Sequence, residues 1–267
     1  LMVGGPAFGY YGRLADGRLE PSPFVLAFLE RCRSRSVPLD FFSWHLYTDD
    51  PSECVARARG LREVLDRHGF KQTELHFNEW NYLPGNEWTP MMREGQGLPR
   101  ERFYAQMGGP SGAAFDAAVL INLQDAPVDV ANFYAADHQG FGLFTTDGVP
   151  RKNFYAFKAF RLLLDTPRRV AVKGSRPGEL AACAGLNAAG TQLGVLVSRF
   201  KDPGSELNLE IASPSWNGPT AGEVRVVDAD RDLTMVRQER FPPGPVHLRL
   251  SVPAPAVLLI KLAPVAE

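Results

Sequence analysis

The sequence has no excess of charge of either sign: 29 Lys and Arg stand against 30 Asp and Glu. Without surplus positive charge, or a basic run in its place, nothing is available to neutralise a nucleic-acid backbone. Long apolar runs are missing as well. The longest, 254–262, is interrupted by Pro255 and Lys261 and falls short of the roughly 20 residues that span a bilayer. No membrane role is indicated. Cysteine is scarce: Cys32, Cys54 and Cys183 stand singly, without C-x-x-C spacing and in a number that does not pair completely. No ligand-spaced cluster calls for a metal, and there is no H-E-x-x-H, phosphate loop or G-x-S-x-G elbow. No metal or organic cofactor is therefore expected. A basic stretch followed by an apolar one is absent from the start, and no Asn-x-Ser/Thr acceptor occurs, so the default expectation is the cytoplasm. The opening Leu1-Met2-Val3-Gly4-Gly5-Pro6 nevertheless reads as a strand already under way that ends in a turn, so an upstream portion is expected.

What is present is enough apolar material for a real core. Of 267 residues, 45% are hydrophobic and 22% charged, which suits one large domain or two ordinary ones. Up to about residue 165 the pattern alternates. A short strand at 1–3 precedes a helix at 23–35, with Phe24, Ala27, Phe28 and Cys32 at helical spacing behind Ser22-Pro23. A strand at 39–47 precedes a helix at 51–68, stopped by Gly69. A strand at 73–78 ends at Glu79 and precedes a helix at 112–124 after a Ser111 cap. A strand at 128–134 precedes a helix at 153–164 with Phe154, Phe157, Phe160 and Leu164 as its apolar stripe. Four β/α units in series imply parallel strands with crossover helices. They make either half of a (β/α)8 barrel or a four-stranded open sheet. The unusual residues sit in loops 7–21, 82–110 and 135–149, after strands, where barrels keep their chemistry.

Beyond Pro167 the texture changes to short alternating segments at 169–173, 180–185, 192–198, 206–211, 223–228, 233–238, 246–252 and 256–262, between Gly, Pro, Asn and Asp turns. These predict an antiparallel β-sandwich. The expected division is therefore 1–166 and 167–267. The sandwich strands carry few catalytic groups, which favours a packing role over carbohydrate binding, and Trp216 in Ser215-Trp216-Asn217-Gly218 is expected to plug the seam between the domains.

The chemistry concentrates in Asn78-Glu79-Trp80-Asn81. A carboxylate at a strand end, flanked by amides and an indole, suits a nucleophile for sugar C1: amides hydrogen-bond hydroxyls and an aromatic face covers the apolar side of the ring. Upstream, His45 and Tyr47 lie at i, i+2 and so share a face of their strand.

Taken in order, these motifs resemble glycoside hydrolase family 39, which holds β-xylosidases and α-L-iduronidases among the retaining (β/α)8 glycosidases. Val3-Gly4-Gly5-Pro6-Ala7 resembles that family's fifth barrel strand and Asp40-Phe41-Phe42-Ser43-Trp44-His45-Leu46-Tyr47 its sixth. Asn78-Glu79-Trp80-Asn81 resembles its seventh, and Gly140-Phe141-Gly142-Leu143-Phe144 the segment after its eighth. The resemblance covers about residues 1–165. It implies the C-terminal half of a (β/α)8 TIM barrel, strands 5–8, followed by the sandwich. It also implies Glu79 as nucleophile, assisted by Tyr47 and His45, with Trp80, Asn81, Tyr134, Asp137, His138 and Phe141 meeting substrate.

Two departures stand out. Asn132-Phe133-Tyr134 and Ala135-Ala136-Asp137-His138-Gln139 replace the family's Trp and acidic pair. Its acid/base, the Glu of an Asn-Glu-Pro motif, is expected upstream of Leu1. Asn86-Glu87-Trp88 repeats the wording of the nucleophile motif but lies on the same loop as Glu79, as do Glu94 and Glu101. The expected partners are a glycoside substrate and a first half barrel on the same or another polypeptide. The alternative is a carbohydrate-binding remnant or partner subunit without its own acid.

Overall fold

The computed structural model describes residues 1–138, 140–212 and 216–265; Gln139 and Ser215 of the motifs above lie outside them. The chain divides into two compact units, Leu1–Trp88 with Asn122–Ala136, and Thr89–Ile121 with Asp137–Glu267. This division does not coincide with the compositional boundary near Pro167.

The first unit is built on a parallel sheet. Its strands are β1 (Gly4–Phe8), β4 (Phe41–Thr48), β5 (Glu74–Tyr82) and β6 (Val130–Phe133), paired in the order β1-β4-β5-β6, every pair parallel. Helices α1 (Pro23–Ser34) and α2 (Pro51–Arg67) start where the sequence marks them. Ser22 Oγ accepts from the Val25 N–H at 3.3 Å and Asp50 Oδ1 from the Ser52 N–H at 2.9 Å, each just ahead of a proline in the first turn. Proline is at home there because that turn's N–H groups have no helical partner. Cys54, Ala58, Leu61 and Leu65 are buried along α2. The chain leaves that helix through Gly69 at φ +91°.

Three expectations change here. The first strand is not 1–3 but Gly4–Phe8. The Gly-Gly-Pro that reads as a turn is the strand itself, with Gly4 and Gly5 paired to Phe41 and Phe42. A Cβ on Gly4 would meet the Phe41 carbonyl at 2.2 Å, so glycine here serves close approach rather than turning. Loop 7–21 holds a hairpin, β2 (Gly12–Ala15) and β3 (Arg18–Pro21), around Asp16-Gly17, both at positive φ; Asp-Gly is a strong signal for such a two-residue turn. Leu19 of β3 seats against Gly60 in the middle of α2, where a Cβ would lie 2.4 Å from the Leu19 Cβ. Finally, the strand carrying Glu79 does not stop there but continues to Tyr82.

In the second unit, stretch 82–110 is not an open loop. Beyond Trp88 it makes short 3-10 turns and then α3 (Leu98–Met107), with Phe103 and Met107 buried one turn apart. Helix α4 (Pro110–Leu123) begins before Ser111, which lies inside its first turn rather than capping it. Helix α5 (Lys152–Leu163) buries Asn153, Ala156, Ala159 and Leu163, not the expected phenylalanine stripe. Ala156 and Ala159 are fully buried in this helix, and Phe154, Phe157 and Phe160 flank them half-buried.

All eight predicted sandwich segments contain strands: β7 (Arg168–Val170), β8 (Leu180–Leu186), β9 (Leu193–Arg199), β10 (Leu207–Ile211), β11 (Thr220–Val227), β12 (Asp232–Phe241), β13 (Val246–Leu250) and β14 (Ala256–Pro264). Six form one sheet, in the order β12-β11-β14-β9-β8-β7, and β10 pairs with β13. One core joins the two sheets, holding Val195, Val197, Val224, Leu248, Leu258, Ile260 and Leu262. The other face of the larger sheet meets helices: α5 packs on β9, β11, β12 and β14, and Ser198 Oγ donates to the Ala114 carbonyl of α4 at 2.5 Å. Trp216 packs against the sandwich core and donates from Nε1 to Thr220 Oγ1 at 3.0 Å. It belongs to this unit's own interior, not to a seam. Among the described residues, no helix is long and apolar enough to cross a membrane, and no group of three His, Cys, Asp or Glu could hold a metal ion.

Candidate functional site

The site grows out of an irregularity in β5. Phe77 and Trp80 are three residues apart, yet both are buried and their rings stack at 6.2 Å. A strand of period two does not turn both to the same side. The register explains how they get there: Trp44 pairs with Phe77, but His45 pairs with Glu79, leaving Asn78 as an extra residue. On the other edge, Phe77 pairs with Ala131 and Trp80 with Phe133, so the ladder skips there too. This is a β-bulge, which re-aims the side chains that follow it. It turns Glu79 onto the face of its partner His45, whereas an unbroken ladder would set it opposite Leu46, on the side of Trp44 and Phe77. Those two rings stack at 3.9 Å and are fully buried.

On the site face the carboxylate is held at both oxygens. The Tyr47 hydroxyl donates to Glu79 Oε1, and His45 Nδ1 lies 3.1 Å from Oε2. A carboxylate oxygen can only accept here, so Nδ1 carries the proton. Burial, followed by the hydrogen bond to Glu79, pushes the Tyr47 phenol well above its ordinary pKa, so it stays a donor throughout the neutral range. Two donors from one strand thus fix the carboxylate of its neighbour. The Glu79 and His45 side chains remain 24% and 22% exposed, enough for a ligand to reach. His45 Nε2 and Asn78 Oδ1 are buried without a hydrogen-bond partner.

Around this pair the structure sorts the other expected residues. Trp80 is 1% exposed, between Phe77 and the edge-on ring of Phe133 at 5.1 Å; the reading of it as a sugar-facing ring gives way to packing, because the bulge sends it to the buried side. Asn81 is likewise corrected. Its side chain is buried, donating to the Tyr134 carbonyl and accepting from the Tyr82 N–H at 2.6 Å, so its amide is used inside the protein. Tyr134 stays 46% exposed and stands edge-on to Tyr47, ring centroids 6.4 Å apart.

Sequence reasoning passed over Trp88. It is 41% exposed and edge-on to Tyr47 at 5.2 Å; an indole nine residues after the carboxylate was the available signal. Glu87 beside it is exposed. Asp137, His138 and Phe141 belong to the second unit. There the Asp137 carbonyl accepts from the Phe144 N–H at 3.1 Å and its charge faces Arg151, whose own pKa is lowered by burial; His138 is exposed and Phe141 half-buried.

A parallel sheet followed in the chain by an antiparallel sandwich is a fold this chain shares with solved glycoside hydrolases. No protein-family model matches the chain. The fold superposes on a glucosidase of Croceicoccus marinus with a TM-score of 0.79 and 26% identity, covering 100% of this chain and 61% of that one. It superposes on a glycoside hydrolase family 39 enzyme of Xanthomonas axonopodis pv. citri with a TM-score of 0.70 and 17% identity, covering 99% and 60%. In sequence it is 25% identical to a β-xylosidase of Geobacillus stearothermophilus over 183 residues, 62% of this chain and 34% of that protein. By sequence the chain is similar to β-xylosidases, and by fold to these glycoside hydrolases, a family 39 enzyme among them. It spans between about a third and a half of the curated relatives it matches.

Proposed function

We propose that this chain carries the nucleophile half of a retaining glycosidase acting on β-linked xylosides or glucosides. β1, β4, β5 and β6 then stand as the fifth to eighth strands of a (β/α)8 barrel. The exposed residues along the two outer strands, β1 and β6, support that reading, since strands at the open edges of a parallel sheet call for cover. The observation that carries the function is the Glu79 carboxylate gripped at one oxygen by Tyr47 and at the other by His45.

Glu79 attacks the anomeric carbon as the bond to the leaving oxygen breaks, giving a glycosyl ester; water then opens the ester with net retention. An acid must protonate the leaving oxygen, and in a retaining enzyme its carboxyl group stands roughly 5 to 5.5 Å from the nucleophile's. That second carboxyl comes from outside these 267 residues, on the first half of the barrel or on a partner chain.

A substrate whose leaving group needs no proton isolates the part that resides here. With 2,4-dinitrophenyl β-D-xyloside, dinitrophenolate departs unaided, so the chain should release it in a Glu79-dependent step that azide accelerates by intercepting the ester. Glu79→Gln should abolish the release. Glu79→Gly should regain it with azide, forming a glycosyl azide of inverted configuration. Equal rates for the wild type and Glu79→Gln would remove Glu79 from the mechanism.

A further inference from the structure

Resting on that reading of Glu79, we propose that Trp88 is the aromatic wall of the sugar site and decides which sugar rings it accepts. Its anchor is Tyr47. That phenol ends on Glu79 Oε1, and two exposed aromatic rings stand against it: Trp88 with centroids 5.2 Å apart at 68°, and Tyr134 6.4 Å away at 80°. Edge-to-face contact is the arrangement that ring quadrupoles favour. It sets Trp88 and Tyr134, 41% and 46% exposed, beside a residue that already holds the nucleophile.

The other indoles are less exposed. Trp44 and Trp80 are buried, and Trp216 is half-buried in the sandwich and bonded to Thr220. Trp88 alone combines 41% exposure with contact to the residue that grips Glu79.

An exposed indole beside a carboxylate with two donors selects a definite chemistry. A pyranose whose hydroxyls are all equatorial carries axial C–H groups on both faces and its polar groups around the rim. One face then lies on the indole while rim hydroxyls reach polar atoms, among them the partly exposed Glu79 carboxylate. Xylo- and gluco-configured rings fit this description. In this role Trp88 touches substrate and takes no part in bond making, so it contributes equally to ground state and transition state.

The test uses the indole as its own reporter. Methyl β-D-xyloside is titrated into the chain while tryptophan emission is followed, with calorimetry as a second measure of binding. The wild type should show a saturable change in emission. Trp88→Phe should lose the emission change and keep calorimetric binding; Trp88→Ala should weaken binding on the order of tenfold. With the dinitrophenyl xyloside, Trp88→Ala should raise KM by a similar factor and leave kcat in place. An unchanged emission response in Trp88→Phe overturns the proposal, as does a fall in kcat at constant KM, which would mean that Trp88 merely steadies Tyr47. Absence of any xyloside binding by the wild type also overturns it. Glu79-dependent turnover with a Trp88→Ala variant that matches the wild type leaves the glycosidase reading standing and sinks only the wall.

Discussion

Strands β5 and β14 are the same length, nine residues, and each lies between two hydrogen-bonded neighbours. Their ladders differ. β14 pairs with β11 and β9 residue for residue from end to end, and five consecutive residues, Ala256 to Ile260, are wholly buried. β5 slips by one residue against both partners around Asn78. The regular strand fills a core on both of its faces. The slipped one buries Leu75, Phe77 and Trp80 on one side and presents Glu79 to a partner strand's His45 and Tyr47 on the other. Regular pairing keeps a side chain's direction predictable from its neighbours; one extra residue releases a polar group from that rule where chemistry needs it.

The strongest way to break this contrast is to give β14 a slip of its own. One alanine inserted between Leu258 and Leu259 would turn Lys261 toward the apolar core. That should destabilise the protein by more than about 4 kcal/mol, read as loss of the urea unfolding transition. A variant that unfolds near the wild-type midpoint would mean that β14 bulges as readily as β5.

Next in size is Tyr47→Phe, which removes a charge-assisted hydrogen bond of about 1.5–3 kcal/mol. Turnover of the dinitrophenyl xyloside should fall roughly 10- to 100-fold while the melting temperature stays close to that of the wild type. An unchanged rate would detach Tyr47 from the nucleophile.

Asp116 sharpens the comparison from the core side, as a titratable group buried as completely as the middle of β14. It is fully buried, accepts from Asn153 Nδ2 at 2.8 Å, and burial raises its pKa well above the ordinary value. A raised folded pKa means that its stabilising contribution is complete below the unfolded value of about 3.9 and is lost as pH rises through the folded one. Melting temperatures of the wild type should therefore decline, relative to Asp116→Asn, as pH is raised from about 4 to 8. Parallel profiles would show that Asp116 binds its proton no more tightly in the folded chain.

The smallest effect is expected from deleting Asn78. Without the extra residue the ladder becomes regular and Glu79 still falls opposite His45, so turnover should drop by no more than about tenfold, under about 1.4 kcal/mol. A collapse to the level of Glu79→Gln would show that the kink itself, and not only the count of residues, sets the carboxylate's position.

The same contrast explains what was legible in the sequence. The sandwich strands and both helices of the first unit could be read because alternation, helical spacing and the Ser22-Pro23 start are local signals. Glu79, His45 and Tyr47 could be matched because they sit on opposing strands and their motifs occur in order. Trp80 and Asn81 could not be placed, because nothing in Phe77-Asn78-Glu79-Trp80 announces which residue leaves the ladder. In α5 a phenylalanine stripe suggested the buried face, and packing chose the smaller Ala156 and Ala159 instead, since close approach to strands rewards small side chains. The hairpin around Asp16-Gly17 carried a local signal that was overlooked.

Gly60 in α2 ties folding together in a further way. A glycine inside a helix costs roughly 1 kcal/mol relative to alanine, so α2 is weakened as an isolated segment. The vacancy left by the missing side chain is the seat of Leu19, which repays the helix only when the β2–β3 hairpin is docked. Hairpin and helix should therefore open as one cooperative element, with the amides of both exchanging hydrogen at a common rate.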